Sequence, residues 1–255
     1  MKNTKVTTVC NLKGGTGKTT TVLALSYGLA NRGYKVLAID FDSQANLSRC
    51  FGKHDMNAND IYDWIIDNKD VRVKINDNLD LVPASKKGIN GLNDEFRKDI
   101  VSPSGHLKNQ LEIYDYYDFV IIDVPSLLSY ELTNALVASD SVIIPAKPDF
   151  LSTDGMEDMS GTVAEFMKIN PNLNLTGVFI NQVRTNTAAH KNGIEEIDRL
   201  LEKNNITRYS SIVRESSLIE VVQKKHVDFY SNIKKNPGAQ DFSNVVDEFL
   251  EKIGA

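Results

Sequence analysis

At 255 residues, with 41% hydrophobic and 25% charged side chains, the chain can bury a sizeable core and has the balance of a globular protein, not of a disordered or fibrous one. A net charge of −5 excludes a chain that is basic all over but leaves room for a local basic face, and two cysteines are too few for a disulfide scaffold or a zinc centre within one chain. No apolar run approaches the roughly 20 residues that span a bilayer, and Met1-Lys2-Asn3-Thr4-Lys5 is no signal peptide, so the expected location is the cytoplasm.

Taken in order, the chain alternates strand and helix. An apolar strand over 5–11 contains Cys10, a small buried residue in this setting. A helix over 18–32 follows, with Gly33 in the position just past its end. A short strand over 35–40 runs into Asp40-Phe41-Asp42-Ser43-Gln44, and a polar connection over 52–59 leads to a short helix over 60–67. A weaker strand over 79–83, a charged helix-and-loop segment over 86–104 and a helix over 107–114 come next. Phe119-Val120-Ile121-Ile122-Asp123 is a buried strand, followed by a helix over 130–137 and a strand over 141–145. A long helix over 153–169 stops at Pro171; a strand over 175–181, a helix over 187–203, a strand over 210–213 and a helix over 216–223 complete the alternation. The last segment, 240–253, carries Phe242, Val245, Val246, Phe249, Leu250 and Ile253 at helical spacing. No repeat or linker interrupts this order. The expected fold is a single-domain α/β protein, a mainly parallel twisted sheet with helices on both faces.

Between the first strand and its helix lies Asn11-Leu12-Lys13-Gly14-Gly15-Thr16-Gly17-Lys18-Thr19-Thr20. Strand, glycine-rich turn and helix are the setting of a phosphate-binding loop. Glycines let backbone N–H groups curl around an anion, and the helix directs its positive end to the same place. Lys18 then reaches the β/γ-phosphates and the Thr19 hydroxyl ligates Mg²⁺. Ligands of open α/β sheets bind outside the carboxyl ends of the strands. Asp40, Asp42 and Asp123 stand at such ends. Asp123 suits Mg²⁺ held through water beside Thr19, and Asp42 is placed to orient the attacking water.

The loop lacks the first glycine of the common pattern and has Lys13 instead. It resembles the deviant Walker A loop, K-G-G-x-G-K-T, of the ParA/MinD family of ATPases. Asp40-Phe41-Asp42-Ser43-Gln44-Ala45-Asn46 is similar to that family's switch I segment, and Ile122-Asp123-Val124-Pro125-Ser126-Leu127 to the start of its switch II. Val142 to Asp149 followed by Gly155, and Leu81-Val82-Pro83-Ala84-Ser85, fit as well. The resemblance implies a P-loop ATPase with ATP and Mg²⁺ as cofactors. Its nucleotide site comprises Lys13, Gly14, Gly15, Thr16, Gly17, Lys18, Thr19 and Thr20. Thr19, Asp42 and Asp123 serve the metal, and Lys13, Lys18 and Asp42 catalysis. It implies further that two copies close face to face over two ATP molecules, with Lys13 as the signature lysine that crosses to the partner's phosphates, as an arginine finger does. Asn181, at a late strand end, corresponds to a place where the family contacts adenine, and Val213 stands where the family often has a proline.

The implied cargo is DNA. ParA proteins bind it without sequence preference through basic residues of the C-terminal third, and Arg214, Lys224 and Lys225 are the candidates here. A ParB-type partner would stimulate slow hydrolysis, and the ATP form would associate with the nucleoid. The alternative within the superfamily is a MinD-like positioning ATPase, which needs a basic amphipathic tail for a membrane. The segment 246–253 carries acidic residues on its polar side and reads as a docked helix. An iron–sulfur ATPase needs cysteines near the switch regions, and Cys10 and Cys50 are elsewhere.

Overall fold

In the computed structural model the described residues are 4–99, 102, 104–114, 116–149, 152–185 and 187–255. Met1–Asn3 and part of the expected 86–104 segment, at 100, 101 and 103, lie outside them. The elements in chain order are β1 (Lys5–Val9), α1 (Lys18–Asn31), β2 (Val36–Asp40), α2 (Asn46–Cys50), α3 (Ile61–Ile65), β3 (Val73–Asn76), β4 (Leu79–Val82) and α4 (Lys86–Lys98). Then come α5 (His106–Leu111), β5 (Phe119–Asp123), α6 (Tyr130–Ala138), β6 (Ser141–Ala146), α7 (Ser152–Ile169) and β7 (Asn174–Val183). The chain closes with α8 (Ala188–Lys203), β8 (Arg208–Arg214), α9 (Ser217–Lys225), a 3₁₀ turn (Ile233–Lys235) and α10 (Pro237–Ile253).

The strands form one sheet in the order β3-β4-β2-β5-β1-β6-β7-β8, parallel throughout except for β3, which runs antiparallel to β4. This is the expected class, with helices on both faces. Side chains alternate across it with the two-residue period of a strand. Leu37, Ile39, Val120, Ile122, Val142, Ile144, Val178 and Ile180 pack into one apolar layer under α3 to α8. Val36, Ala38, Phe119, Ile121, Ile143 and Phe179 pack into the other, with α1 and α10.

The same alternation places the acids. Asp40 follows Val36 and Ala38, and Asp123 follows Phe119 and Ile121, so both project onto the α1 face. In register, Asp40 lies beside Asp123 and Asp123 beside Val9. The three strands end at one level, and the chain leaves β1 there to form the glycine-rich loop. This is where the connections change direction across the sheet, the crevice in which such folds take ligands.

α1 is buried nearly all round, at eleven of its fourteen residues, because the sheet covers one side and α10 the other. Gly33, at φ +93°, turns the chain and its N–H caps Ala30 O at 3.0 Å, as expected. α10 docks through Phe242, Val245, Val246 and Phe249, all buried, and begins three residues earlier than the periodicity suggested. Asn236 at its N-cap accepts from Ala239 N, and Pro237 takes the first turn. Among the described residues no helix is long and apolar enough to cross a membrane.

Three elements differ from expectation. β3 is a half-exposed edge strand with only weak alternation, so its residues carry little strand signal. α2 is five residues long and is held by a tertiary bond instead of its own propensity: Ser48 N and Oγ both donate to Asp40 Oδ2, at 2.8 and 2.7 Å. β1 ends at Val9, two residues short of the predicted boundary, because Asn11 has turned its side chain to Pro145 O (2.9 Å) and to Lys13 N (2.8 Å).

Candidate nucleotide-binding site

The loop between β1 and α1 is shaped from below by β7. Asn181 Nδ2 donates to Thr16 O at 2.8 Å, and Gln182 Nε2 donates to Gly15 O at 2.9 Å. Lys18 Nζ, inside the loop, lies 3.4 Å from Lys13 O. With these carbonyls tied back, the N–H groups of the loop are what its concave side offers an anion. Gly15 and Gly17 adopt φ of +77° and +93°, a region that side chains resist. Gly17 is required for a second reason: a Cβ there would lie 2.2 Å from Asn181 Nδ2.

Asn181 is therefore 2% exposed and engaged at both ends, its Oδ1 accepting from Gln182 N at 2.9 Å. Here it props the loop from β7. Val213 is also fully buried. A cavity of about 330 Å³ opens next to these strand ends, lined by Val183, Thr185, Ile194, Ile212 and the basic residues Arg184, His190, Lys191 and Arg214.

Under the loop the charges are crowded. Asp123 Oδ2 accepts from Thr19 Oγ1 at 2.7 Å. Burial, and next the charge of Asp40, push the Asp123 carboxyl well above the usual carboxylate range, while Thr19 and Lys18 oppose this. Asp40 is raised to about 6, first by burial, although Ser48 and Asp42 N donate to it. Lys18 is lowered by burial and held up chiefly by Asp123. It also donates to Ser126 Oγ of the segment after β5. Asp42 sits at the half-exposed rim, its Oδ1 accepting from Gln44 N at 2.9 Å.

The donor set fits Mg²⁺. Among the described residues Asp123 Oδ1 is buried without a hydrogen-bond partner, an orphaned acceptor of the kind a cation or its water satisfies. Thr19, Asp42 and Asp123 offer only oxygen, as a hard ion prefers. Mg²⁺ keeps several water and phosphate ligands, so a few protein oxygens suffice. Both cysteines are free, and burial pushes both thiols up to about 12, so neither offers a thiolate.

Lys13 is at the outer rim. Its Nζ pairs with Asp149 Oδ1 at 2.7 Å, with side-chain exposures of 26% and 37%. An ion pair so open to water contributes about 1 kcal/mol or less. Gly155 is pressed against it: a Cβ there would meet Lys13 Cβ at 2.8 Å and Asn11 Oδ1 at 3.3 Å.

The basic candidates separate. Arg214 is bound to Asp241 by two bonds of 2.8 Å, and its backbone N also donates to that carboxylate at 2.9 Å. The pair joins β8 to α10. Lys224 and Lys225 are exposed on the last turn of α9, and Lys224 Nζ is 3.9 Å from Glu220. Sequence reasoning gave no role to Asn11, Ser126, Asp149 or Gln182. All four lie in or beside recognisable motifs, but nothing in the sequence says which loop atoms these side chains reach.

Fold and site together define a P-loop nucleotide-binding protein with a deviant loop. A protein-family model described as an AAA domain matches residues 4–175. The sporulation initiation inhibitor protein Soj of Bacillus subtilis is 34% identical over 76% of this chain and 79% of its own length. An uncharacterised protein of Methanocaldococcus jannaschii is 32% identical over 97% and 99%. A plasmid partition protein of Borrelia burgdorferi, solved with AMPPNP, superposes with a TM-score of 0.78 at 26% identity, over 98% of this chain and 100% of that one. The chain belongs to the ParA/MinD family of P-loop ATPases.

Two outcomes follow. An L-residue at a left-handed position costs about 1–2 kcal/mol before any clash, so Gly17→Ala should weaken nucleotide binding roughly tenfold or more by titration calorimetry. For Asp40, the folded value of about 6 lies above the unfolded 3.8. The stability it contributes is present below the unfolded value and is lost as pH rises through the folded one. In nucleotide-free protein, the urea midpoint of the wild type relative to Asp40→Asn should therefore fall between about pH 4 and about pH 7. A difference that stays flat with pH contradicts the assignment.

Proposed function

We propose that the whole chain, residues 1–255, works as one DNA-partitioning ATPase unit that uses ATP and Mg²⁺ to switch between a monomer and a two-copy form. The observation that carries the reading is the pair of lysines: Lys18 buried inside the loop, Lys13 half-exposed at its rim and paired there with the part-exposed carboxylate Asp149. A lysine held so weakly is free to leave at little cost for a phosphate on a second copy, where the charge is greater and water is excluded. The names of relatives support the cargo. Soj of Bacillus subtilis, a chromosome partitioning ParA of Myxococcus xanthus (28% identity) and the Borrelia plasmid partition protein all lie along most of this chain. Partition ATPases of this type associate with the nucleoid and are stimulated by a ParB-type protein, and both belong to the proposal.

Within the site the roles follow from position. The loop amides and Lys18 hold the β- and γ-phosphates. Thr19, Asp42 and Asp123 are the residues that would hold Mg²⁺, which when bound neutralises charge on those phosphates. Asp42, at the open rim above Asp40, orients a water for in-line attack, and Ser126 keeps the segment after β5 against Lys18. Lys13 of the other copy stabilises the charge that develops as the bond to the leaving oxygen breaks. DNA meets the exposed Lys224 and Lys225 of α9. Arg214, engaged by Asp241, contributes mainly by fixing β8 to α10. The membrane alternative is disfavoured because α10 spends its apolar face on the core.

The test is DNA binding by fluorescence anisotropy with a non-specific duplex, in ATP and in ADP, at two salt concentrations. The expected result is much tighter binding in ATP than in ADP, weakening at least about tenfold between roughly 50 and 200 mM salt. Binding indifferent to nucleotide and salt would sink the proposal.

A further inference from the structure

α9, which carries Lys224 and Lys225, is held in an unusual way. It buries one residue, Val222, and half-buries Ile219 against the α1 layer, while Leu218 and Val221 are exposed. A helix with so small an apolar footprint is oriented by a few specific contacts more than by the core. Two polar contacts hold it. Gln223 Nε2 donates to Thr20 Oγ1 at 3.1 Å. Thr20 is in the first turn of α1, next to the Thr19 whose hydroxyl reaches Asp123. At the same C-terminal end His226, in the left-handed region at φ +52°, closes α9, and its Nδ1 lies 3.3 Å from Cys50 O at the end of α2. The imidazole rests on Gly52, where a Cβ would come within 2.9 Å of its Cγ. α2 in turn hangs from Asp40 through Ser48, and its backbone continues from Asp42.

Both ties therefore end on segments that carry the phosphate and metal residues. Between them a cleft of about 270 Å³ separates α9 from α2, lined by Arg49, Cys50, Glu220, Gln223, Lys224 and His226. The cleft gives the helix room to move when its ties move. Van der Waals packing alone would not make α9 responsive to the loop, but a polar bond to a hydroxyl does, because such a bond is either made or lost.

We propose that Gln223 and His226 are positioning residues that couple the nucleotide state of the loop and of the Asp40–Asp42 segment to the orientation of α9, and so to the lysines on its last turn. Gln223 reads the first turn of α1, and His226 reads α2. Neither touches the phosphates. The inference rests on the proposed function only for its DNA readout; the movement of α9 stands apart from it.

The experiment pairs two measurements on the full-length protein. In the first, hydrogen exchange of residues 217–225 is compared in Mg·ATP and Mg·ADP, for the wild type and for Gln223→Leu, which keeps a side chain of comparable bulk and removes its hydrogen bond. The expected result is a nucleotide-dependent change in protection of α9 in the wild type that is lost in the variant. Identical α9 exchange in the two nucleotides overturns the proposal without any variant, and an unchanged response in a folded variant overturns it too. In the second, the ratio of DNA affinity in ATP to that in ADP should fall about fivefold in Gln223→Leu, the worth of one hydrogen bond, while ATP affinity is kept. Lys224→Ala should weaken DNA binding in ATP while the nucleotide response of α9 in hydrogen exchange is kept. A wild type that binds no DNA sinks the partition reading, and hydrogen exchange still decides the coupling.

Discussion

Three carboxylates, Asp40, Asp42 and Asp123, share one corner with Lys18, and two of the three are buried. Taking such charges out of water costs several kcal/mol each unless partners compensate. The structure around them reads as that compensation. Ser48 and the turn at Asp42 donate to Asp40, Thr19 donates to Asp123, and Lys18 sits among them. One acceptor, Asp123 Oδ1, is left over. A corner that is balanced only in part without its ligand is suited to respond when the ligand arrives, because binding changes the charge that every one of these groups feels.

That constraint reaches outward. To satisfy Asp40, α2 must lie where Ser48 can reach it, and Ser48 Oγ also accepts from Ala84 N (3.0 Å) beyond β4. To present Thr19, α1 must start just after Gly17, and the left-handed turn there is possible only because no side chain stands between it and Asn181. β7 contributes Asn181 and Gln182 as props for the loop. Four elements thus converge on one phosphate cradle, and α9 is attached to two of them.

Much of this was legible in the sequence. The glycine and lysine spacing of residues 13–19 carries its own physical meaning, since few arrangements other than a phosphate loop need those residues between a strand and a helix. The central strands were readable because both of their faces are apolar, and their ends fixed where Asp40 and Asp123 would stand. What was hidden depends on contacts distant in the chain. Asn181 was placed at the right strand end, but the sequence does not tell that its amide is committed to Thr16 O. Arg214 reads as a basic surface residue until Asp241, 27 positions later, is seen across from it. α2 and β3 were missed because one is held by a single buried carboxylate and the other is an exposed edge. The Lys13–Asp149 pair spans 136 positions and leaves no local trace.

Lys13 acting across two copies is what ties the site to assembly. Its most direct test is sedimentation velocity of Asp42→Ala, which should retain ATP, beside the same protein carrying Lys13→Gln as well. The account predicts an ATP-dependent dimer for the first and a monomer that still binds ATP for the second. A double variant that dimerises with ATP as the single one does would contradict it.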